Sequence, residues 1–267
     1  MPSPYVTLAK VREKKPLVHH ITNWVTIYDC ANVVRAFGAL PVMAHAKEEA
    51  ADMAGISSAL VLNIGTLTTD LIDSMLLAGK KANSASIPVV LDAVGAGATK
   101  FRSDETRRLL DKLEINVLKG NAGEMASIAG IKAEVRGVES ISAGAKPEDI
   151  CRQIAKDFGC TAVITGKTDV CASKSGVYFV ENGHQMMGTV VGTGCMATSV
   201  IGAFCAVEKD YALASAHALS CYGIAGELAA LKSNGPGSFK TNFYDEIYAL
   251  DKGTIEKMAK VKFESKL

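Results

Sequence analysis

A short glycine-rich segment, Val191-Gly192-Thr193-Gly194-Cys195-Met196, precedes an uncharged run and predicts the start of a buried helix. Unpaired backbone N–H groups at a helix start bind anions such as phosphate, and glycines let the anion approach the backbone closely. The same position favours a thiolate, so Cys195 is a candidate base or nucleophile. A glycine turn followed by a small buried cysteine is the alternative that stays open.

Polar side chains follow three predicted buried strands, at the strand ends where open α/β sheets bind their ligands. They are Asp92 at the end of Ile87–Asp92, Lys119 and Glu124 after Ile115–Leu118, and Thr165 at the end of Cys160–Thr165. Asp92 and Glu124 offer the oxygen ligands that Mg²⁺ prefers, and Lys119 would neutralise phosphate charge. Thr165 could donate a hydrogen bond to phosphate.

Each of these residues also has a purely structural interpretation. Asp92 could cap a turn, Asn121 and Glu124 have the spacing of a capping box, and Thr165 could be an ordinary residue at a strand end. Several phosphate-compatible strand ends and helix starts in one chain are more informative than any one of them. Together they indicate a nucleotide-dependent phosphotransferase, although the chain has no Walker A sequence.

The elements that must position these residues alternate between short β-branched runs and longer helical segments, which predicts an α/β fold. We expect one domain over residues 1–267, with a mostly parallel sheet and helices on both faces. The predicted strands are Leu40–Met43, Ala59–Ile64, Ile87–Asp92, Ile115–Leu118, Cys160–Thr165, Asp169–Ser173 and Gly176–Val180, the last two joined by a hairpin at Lys174-Ser175.

The predicted helices begin at recognisable caps. They are Asp70–Asn83 capped by Thr68 or Thr69, Asp104–Leu113 capped by Ser103, Glu148–Phe158 after Pro147, Thr193–Val207, Tyr211–Leu231 and roughly Phe239–Lys252. Residues Ala133 to Lys146 indicate a loop-rich insertion or connection. The uncharged stretch Met186–Val207 is about as long as a transmembrane helix, but its glycines and threonines favour a turn followed by a buried helix.

Composition restricts the possible partners and the compartment. The chain of 267 residues has 29 basic and 28 acidic side chains, and 6% of its residues are aromatic. A nearly neutral chain with few aromatic residues argues against binding nucleic acid or an anionic membrane. The seven cysteines are odd in number and form no C-x-x-C motif, which predicts free thiols in a reducing cytoplasm.

Seven motifs, in order along the chain, resemble those of the hydroxyethylthiazole kinase family of the ribokinase-like superfamily. The resemblance runs from about Lys15 to Lys240. The motifs are His20-Ile21-Thr22-Asn23, Pro41-Val42-Met43-Ala44-His45, Asn63-Ile64-Gly65-Thr66-Leu67, Asp92 with Val94-Gly95-Ala96-Gly97-Ala98-Thr99, Gly120-Asn121 with Glu124, Gly192-Thr193-Gly194-Cys195, and Gly235-Pro236-Gly237-Ser238-Phe239.

The resemblance implies a three-layer α/β/α domain that transfers the γ-phosphate of ATP to the primary hydroxyl of 4-methyl-5-(2-hydroxyethyl)thiazole, with Mg²⁺ as cofactor. It also implies a homotrimer whose sites lie at the subunit interfaces. The residues it assigns are Cys195 as the base, Asp92 and Glu124 for Mg²⁺, Lys119, Thr165, Asn23 and Gly194 for ATP, and Met43 and Gly192 beside the thiazole.

This chain departs from the family pattern at Lys119, where the family usually has arginine. Lysine keeps the positive charge but lacks the two-pronged hydrogen bonding of a guanidinium group. Two alternatives remain open at this point. One is a related kinase for hydroxymethylpyrimidine or a pyridoxal-type alcohol, and the other is a ligand-binding member of the fold that does not catalyse.

Overall fold

The structure, a computed structural model, describes residues 1–131 and 145–265, and in these residues nine strands form one sheet. The strands are β1 (Leu17–Ile21), β2 (Leu40–Val42), β3 (Ala59–Asn63), β4 (Val89–Asp92), β5 (Val117–Asn121), β6 (Thr161–Thr165), β7 (Asp169–Ser173), β8 (Gly176–Val180) and β9 (Val261–Ser265). Their order across the sheet is β2-β1-β3-β4-β5-β6-β7-β8-β9.

Strands β1 to β6 run parallel to one another, whereas β7, β8 and β9 pair antiparallel. The predicted mostly parallel sheet and the hairpin at Lys174-Ser175 are therefore confirmed. The strand register also brings predicted site residues together. Asp92 is paired with Asn63 on one side and with Lys119 on the other, so three polar residues meet at the carboxyl ends of β3, β4 and β5.

The described residues include helices on both faces of the sheet. They are α1 (Pro4–Lys14), α2 (Ile27–Ala36), α3 (Lys47–Ile56), α4 (Thr69–Ser84), α5 (Lys100–Lys112), α6 (Ala122–Ile128), α7 (Pro147–Phe158), α8 (Thr193–Cys205), α9 (Tyr211–Leu231), α10 (Pro236–Ala249) and α11 (Lys252–Met258), with a short 3₁₀ helix at Gln185–Thr189.

Alternate residues of the buried strands enter two separate cores, because successive side chains of a strand point to opposite faces. In β3, Val61 packs in the core that contains α1, α2, α8, α9 and α10, while Leu60 and Leu62 pack in the core that contains α3 to α7. The predicted three-layer α/β/α architecture is therefore confirmed.

Two predicted helix starts are wrong. Helix α5 begins at Lys100, because the Thr99 hydroxyl accepts a hydrogen bond from the Arg102 N–H at 3.2 Å and forms the cap. Ser103 lies inside the helix, and its hydroxyl donates to the Thr99 carbonyl. Helix α10 begins at Pro236 rather than Phe239, because a proline in the first turn needs no N–H partner.

The remaining predictions for single segments have mixed outcomes. Thr68 caps α4, and Pro147 opens α7 as predicted. The predicted connection Ala133–Lys146 lies outside the described residues except for its last two positions. The uncharged stretch at Met186–Val207 contains the 3₁₀ helix and α8, and no helix in the described part of the chain is long and apolar enough to cross a membrane.

Two buried histidines predict a loss of stability in acid. Desolvation lowers the pKa of His20 in β1 to about 3 and that of His217 in α9 to about 4, against an ordinary value of 6.5. At a pH between the folded-state pKa and the ordinary value of 6.5, each histidine binds a proton in the unfolded chain but not in the folded chain. The free energy of unfolding therefore falls as pH falls below about 6.5, by about 1.4 kcal/mol per pH unit for each histidine.

The substitution His20→Leu is expected to remove the contribution of one histidine, about 1.4 kcal/mol per pH unit, from the slope of the unfolding free energy against pH. Urea unfolding at pH 7, 6 and 5 measures the slope. Ile21→Val is the matched control in the same strand, since it should lower stability by about 1 kcal/mol at every pH and leave the slope unchanged. A folded His20→Leu protein with the wild-type slope would show that His20 does not cause the acid dependence.

Candidate active site

Asp92 is the centre of a polar cluster at the carboxyl edge of the sheet. Its side chain is fully buried, and its Oδ2 accepts hydrogen bonds from Asn63 Nδ2 and Thr198 Oγ1, both at 2.8 Å. Its Oδ1 accepts from Lys119 Nζ at 3.2 Å. A buried carboxylate needs such partners, because an unpaired one would be costly to desolvate. Three elements beside β4, namely β3, β5 and α8, thus fix the Asp92 side chain.

Lys119 connects Asp92 to the start of α8. Its ammonium group also donates to the Gly194 carbonyl at 3.1 Å, and the residue is only 4% exposed. Burial opposes the charge, but the neighbouring charges, of which Asp92 is the largest, outweigh it and raise the pKa of Lys119 above its ordinary value. Lys119 is therefore a fixed positive charge at the edge of the sheet, where a phosphate would bind.

Glu124 is held in a capping box, the structural interpretation that the sequence left open. Asn121 Oδ1 accepts from the Glu124 N–H at 2.9 Å, and Glu124 Oε2 accepts from the Asn121 N–H at 2.7 Å. The other oxygen, Oε1, accepts from the Gly95 N–H at 2.7 Å and ties the loop after β4 to α6. Burial and the charge of Asp92 raise the pKa of Glu124 above its ordinary value, against the opposing effect of the two N–H groups and Lys119.

Gly192 and Cys195 open α8 as predicted. Gly192 has a φ of +93°, and a Cβ there would lie 2.4 Å from the Thr26 Cγ2, so this position requires glycine. No side-chain hydrogen bond caps α8 in the described residues. The first N–H groups of a helix have no partner within the helix and can bind an anion. Cys195 is the one cysteine of the seven that is partly exposed.

The predicted lowering of the Cys195 pKa is wrong. Burial raises the pKa of the thiol, and the Asp92 carboxylate raises it further, while Lys119 and hydrogen bonding from Asn63 and Thr26 oppose this shift. A helix N-terminus stabilises a negative charge by about 0.3–1 kcal/mol at an exposed position and by up to about 2 kcal/mol at a partly buried one, which is at most about 1.5 pKa units. Desolvation and a buried carboxylate therefore outweigh the helix, and the thiol is the main form at neutral pH.

Asn23, which follows β1, contacts the Cys195 sulfur directly. Its Nδ2 donates to Cys195 Sγ at 3.4 Å and to Asn63 Oδ1 at 3.0 Å, and its Oδ1 accepts from the Thr26 N–H and hydroxyl, both at 3.0 Å. A continuous hydrogen-bonded chain therefore runs from the Cys195 sulfur through Asn23 and Asn63 to Asp92.

Sequence reasoning assigned no role of their own to three residues that hold this site together. Asn63 and Thr198 are the buried donors to Asp92, and the Arg102 guanidinium donates to the Ile64 and Val94 carbonyls and to the Gly65 carbonyl at 2.8–2.9 Å. A usable signal existed for two of them. Asn63 ends a buried strand, and Thr198 lies one helical turn after Gly194, on the same side of α8.

The structure brings five of the nine predicted site residues into one hydrogen-bonded group: Asn23, Asp92, Lys119, Gly194 and Cys195. Glu124 is attached through backbone contacts, and Gly192 caps α8. Thr165 ends β6 in register with Asn121, and Met43 is half-buried against the core beside α8. Within the described residues, neither of these two side chains hydrogen-bonds to the group.

Asp92 and Glu124 fit a hydrated divalent cation better than a directly chelated one. Asp92 Oδ1 and both Glu124 oxygens accept one hydrogen bond each, so each keeps one acceptor position. In residues 1–131 and 145–265, no three His, Cys, Asp or Glu side chains form a group that could hold a metal ion. Mg²⁺ commonly keeps several waters and takes one or two carboxylates together with phosphates, so the donor set suits it.

Comparisons with known proteins show the family to which the chain belongs. A profile described as "Hydroxyethylthiazole kinase family" matches residues 8–253. The chain is 57% identical to a hydroxyethylthiazole kinase of Methanosarcina mazei, over 95% of this chain and 97% of that protein. It is 50% identical to one of Thermoanaerobacter pseudethanolicus, over 95% of this chain and 97% of that protein.

Solved structures show the same relationship. The structure of a hydroxyethylthiazole kinase protein from Pyrococcus horikoshii superposes with a TM-score of 0.90 at 38% identity, covering 98% of each chain. A ribokinase-like superfamily protein from Enterococcus faecalis superposes with a TM-score of 0.63 at 13% identity, covering 91% of this chain and 88% of that one. The second similarity concerns the fold alone.

Proposed function

The chain belongs to the hydroxyethylthiazole kinase family, a family of phosphotransferases, and on that premise we propose that it transfers the γ-phosphate of ATP to the primary hydroxyl of 4-methyl-5-(2-hydroxyethyl)thiazole in thiamine metabolism. The observation that carries this proposal is the position of Lys119. Its ammonium joins the Asp92 carboxylate to the first turn of α8, so a positive charge, a cation-binding carboxylate and an anion-binding helix start meet at one place.

Catalysis in this proposal comes mainly from positioning and charge. Phosphoryl transfer passes through a loose transition state, so an enzyme gains most by orienting the phosphate and neutralising its charge. The N–H groups from Gly192 to Cys195 and the Lys119 ammonium would hold the phosphates of ATP, with Asn23 and Thr165 as further contacts. Met43 and Gly192 would lie beside the thiazole.

Asp92 and Glu124 would hold Mg²⁺, in part through its waters. When bound, Mg²⁺ neutralises the negative charge that the phosphates share. The protein residues have a separate task, which is to keep the two carboxylates in place. Asn63, Thr198 and Lys119 do this for Asp92, and the N–H groups of Gly95 and Asn121 do it for Glu124.

Cys195 is the proposed base for the alcohol proton. In the proposed step the substrate oxygen forms a bond to the γ-phosphorus, the bond from that phosphorus to the ADP oxygen breaks, and the alcohol proton passes to the Cys195 thiolate, the less abundant form at neutral pH, which becomes the thiol. The Asn23 amide donates to the sulfur and so stabilises its anionic form. A modest base is sufficient, because a loose transition state leaves the attacking alcohol only weakly acidified.

We also propose a homotrimer with the sites at the subunit interfaces. Large apolar side chains are exposed next to predicted site residues. Trp24 follows Asn23, Tyr28 lies in the first turn of α2, and Val191 precedes Gly192, with exposures of 58%, 74% and 73%. Such a patch is typical of a protein–protein interface. Sedimentation equilibrium should give three times the 28.1 kDa chain mass. A monomer at micromolar concentration would contradict the proposal.

The seven cysteines are all free, and six of them are buried. This supports the cytoplasmic location that we propose, because a reducing compartment keeps such thiols unpaired.

The experiment that tests the proposed reaction is ADP formation by the purified protein with ATP, Mg²⁺ and the thiazole alcohol, together with mass detection of the thiazole phosphate. The matched control is 5-ethyl-4-methylthiazole, which lacks only the hydroxyl. Hydroxymethylpyrimidine and pyridoxal complete the panel. We expect the thiazole alcohol to be the preferred acceptor. If it supports no ADP formation between neutral and alkaline pH, the proposal fails, and binding measured by calorimetry without turnover would favour a non-catalytic role.

A further inference from the structure

Asn63 is a buried residue whose side chain makes three hydrogen bonds at the end of β3. It is 1% exposed; its Nδ2 donates to Asp92 Oδ2 at 2.8 Å, and its Oδ1 accepts from Asn23 Nδ2 at 3.0 Å and from the Gly65 N–H at 2.9 Å. A glycine is required at position 65, because a Cβ there would lie 2.9 Å from the Asn23 Cβ. The surroundings therefore hold Asn63 and Asn23 in close contact.

The chemistry of the partners fixes the orientation of both amides. A carboxylate oxygen can only accept, so the Asn63 amine must face Asp92, and its carbonyl oxygen must then face Asn23. The Asn23 amine faces Asn63 for that reason, and the Asn23 oxygen accepts the two hydrogens of Thr26. No other assignment lets each of these hydrogen bonds run from a donor to an acceptor.

This orientation has a consequence at the Cys195 sulfur. The two hydrogens of a planar amide NH₂ group point in directions about 120° apart, so an acceptor for one of them determines where the other points. Asn63 Oδ1 accepts the first hydrogen of Asn23 Nδ2, and the second is directed at Cys195 Sγ, 3.4 Å from the nitrogen. The sulfur thus receives a hydrogen bond whose direction is set by a residue on another strand.

We propose that Asn63 is a positioning residue for Cys195: it fixes the Asn23 amide so that its N–H remains directed at the Cys195 sulfur. The effect on turnover rests on the proposed role of Cys195 as the base, whereas the effect on the sulfur itself does not. The charged and titratable groups around Cys195 are Asp92, Lys119, Cys30 on α2 and Tyr222 on α9. Asn23 and Asn63 are both amide neighbours of the sulfur; Asn23 Nδ2 donates to it at 3.4 Å, and Asn63 sets the direction of that N–H.

The test measures the sulfur directly, without ATP or thiazole. Iodoacetamide alkylation of Cys195 is followed by peptide mass spectrometry between pH 7 and 10 in the full-length protein. Asn63→Ala is expected to slow alkylation by about tenfold at each pH below the wild-type midpoint, the size expected when one hydrogen bond to an anion is lost. Asn63→Ser, which keeps a small polar group beneath Asp92, should show the same change and serves if the alanine variant does not fold.

The matched control is Thr198→Val. It removes an equally buried donor to the same Asp92 oxygen but has no contact with Asn23, so the alkylation rate should stay within about twofold of the wild type. Asn23→Ala should slow alkylation as much as Asn63→Ala does, and the double variant should be no slower than either single variant.

Three results would overturn the proposal. The first is an unchanged alkylation rate in Asn63→Ala. The second is an equal loss of rate in Thr198→Val, which would assign the effect to Asp92. The third is additive losses in the double variant, which would mean that Asn63 acts on the sulfur without Asn23. Turnover measured on the same variants separates the two proposals. Slow alkylation with wild-type turnover would leave the positioning role intact and remove Cys195 as the base.

Discussion

An Asp92→Asn enzyme is expected to turn over the thiazole alcohol about 10³-fold more slowly than the wild type. All the side-chain groups that contact this carboxylate are donors: Lys119, Asn63 and Thr198. An amide must turn its NH₂ group toward at least one of them, so one hydrogen bond is replaced by a clash of donors. The same change removes a proposed Mg²⁺ ligand, and it leaves the Lys119 ammonium buried without its counter-charge.

The Asp92→Asn substitution is expected to lower both the free energy of unfolding and the turnover, so the two must be measured separately. Loss of one partner of a buried ion pair costs about 3–5 kcal/mol of unfolding free energy. The double variant Asp92→Asn/Lys119→Met removes the stranded charge, so urea unfolding should show that stability partly returns. Turnover of the double variant should remain as low as that of Asp92→Asn. If turnover returned together with stability, Asp92 would be a structural residue and its proposed catalytic role would be wrong.

The fold was predictable from sequence wherever a strand is both buried and apolar. Strands β3, β4 and β6 show this pattern. Strand β1 contains His19 and His20, so its sequence lacks an apolar pattern along its full length. Both histidines are fully buried, and their ring nitrogens contact the Ala44 and Val18 carbonyls. Strand β9 is largely exposed and, among the strands of the described residues, pairs with β8 alone, so its local sequence has no core pattern to recognise.

The candidate site was predictable where a single segment carries the signal. Asp92 and Cys195 each lie at a strand end or helix start that is recognisable without the rest of the chain. Asn63 is different, since its importance depends on the register that pairs it with Asp92, 29 residues away along the chain. Neighbouring strands in a parallel sheet are joined by long crossovers, so the sequence around Asn63 does not predict its pairing with Asp92.

The direction of the Cys195 pKa shift illustrates the same limit in electrostatics. The helix start was recognisable locally. The larger influences are burial and the Asp92 carboxylate, and these come from packing between α8 and the sheet. A local motif therefore identified the residue but gave the wrong direction for its acidity.

Cys195→Ala is expected to lower turnover by about 10²-fold and to leave thiazole binding nearly unchanged. General-base catalysis contributes about 10²–10⁴-fold, and the lower end applies because phosphoryl transfer is loose and the thiol is mostly protonated at neutral pH. Steady-state kinetics with ATP and the thiazole alcohol give the turnover, and calorimetry gives the binding. Turnover equal to the wild type would remove the proposed role of Cys195.

The pH profile provides the sharper test of the base. Because burial and Asp92 raise the Cys195 pKa, the reactive thiolate becomes more abundant as pH rises, so wild-type turnover should increase from neutral to alkaline pH. Cys195→Asp substitutes a carboxylate, which is ionised well below neutral pH even if its pKa is raised moderately. This variant should retain activity and lose the alkaline rise. A folded but inactive Cys195→Asp enzyme would argue against simple exchange of one base for another, and an alkaline rise that persists in it would assign the titrating group to a different residue.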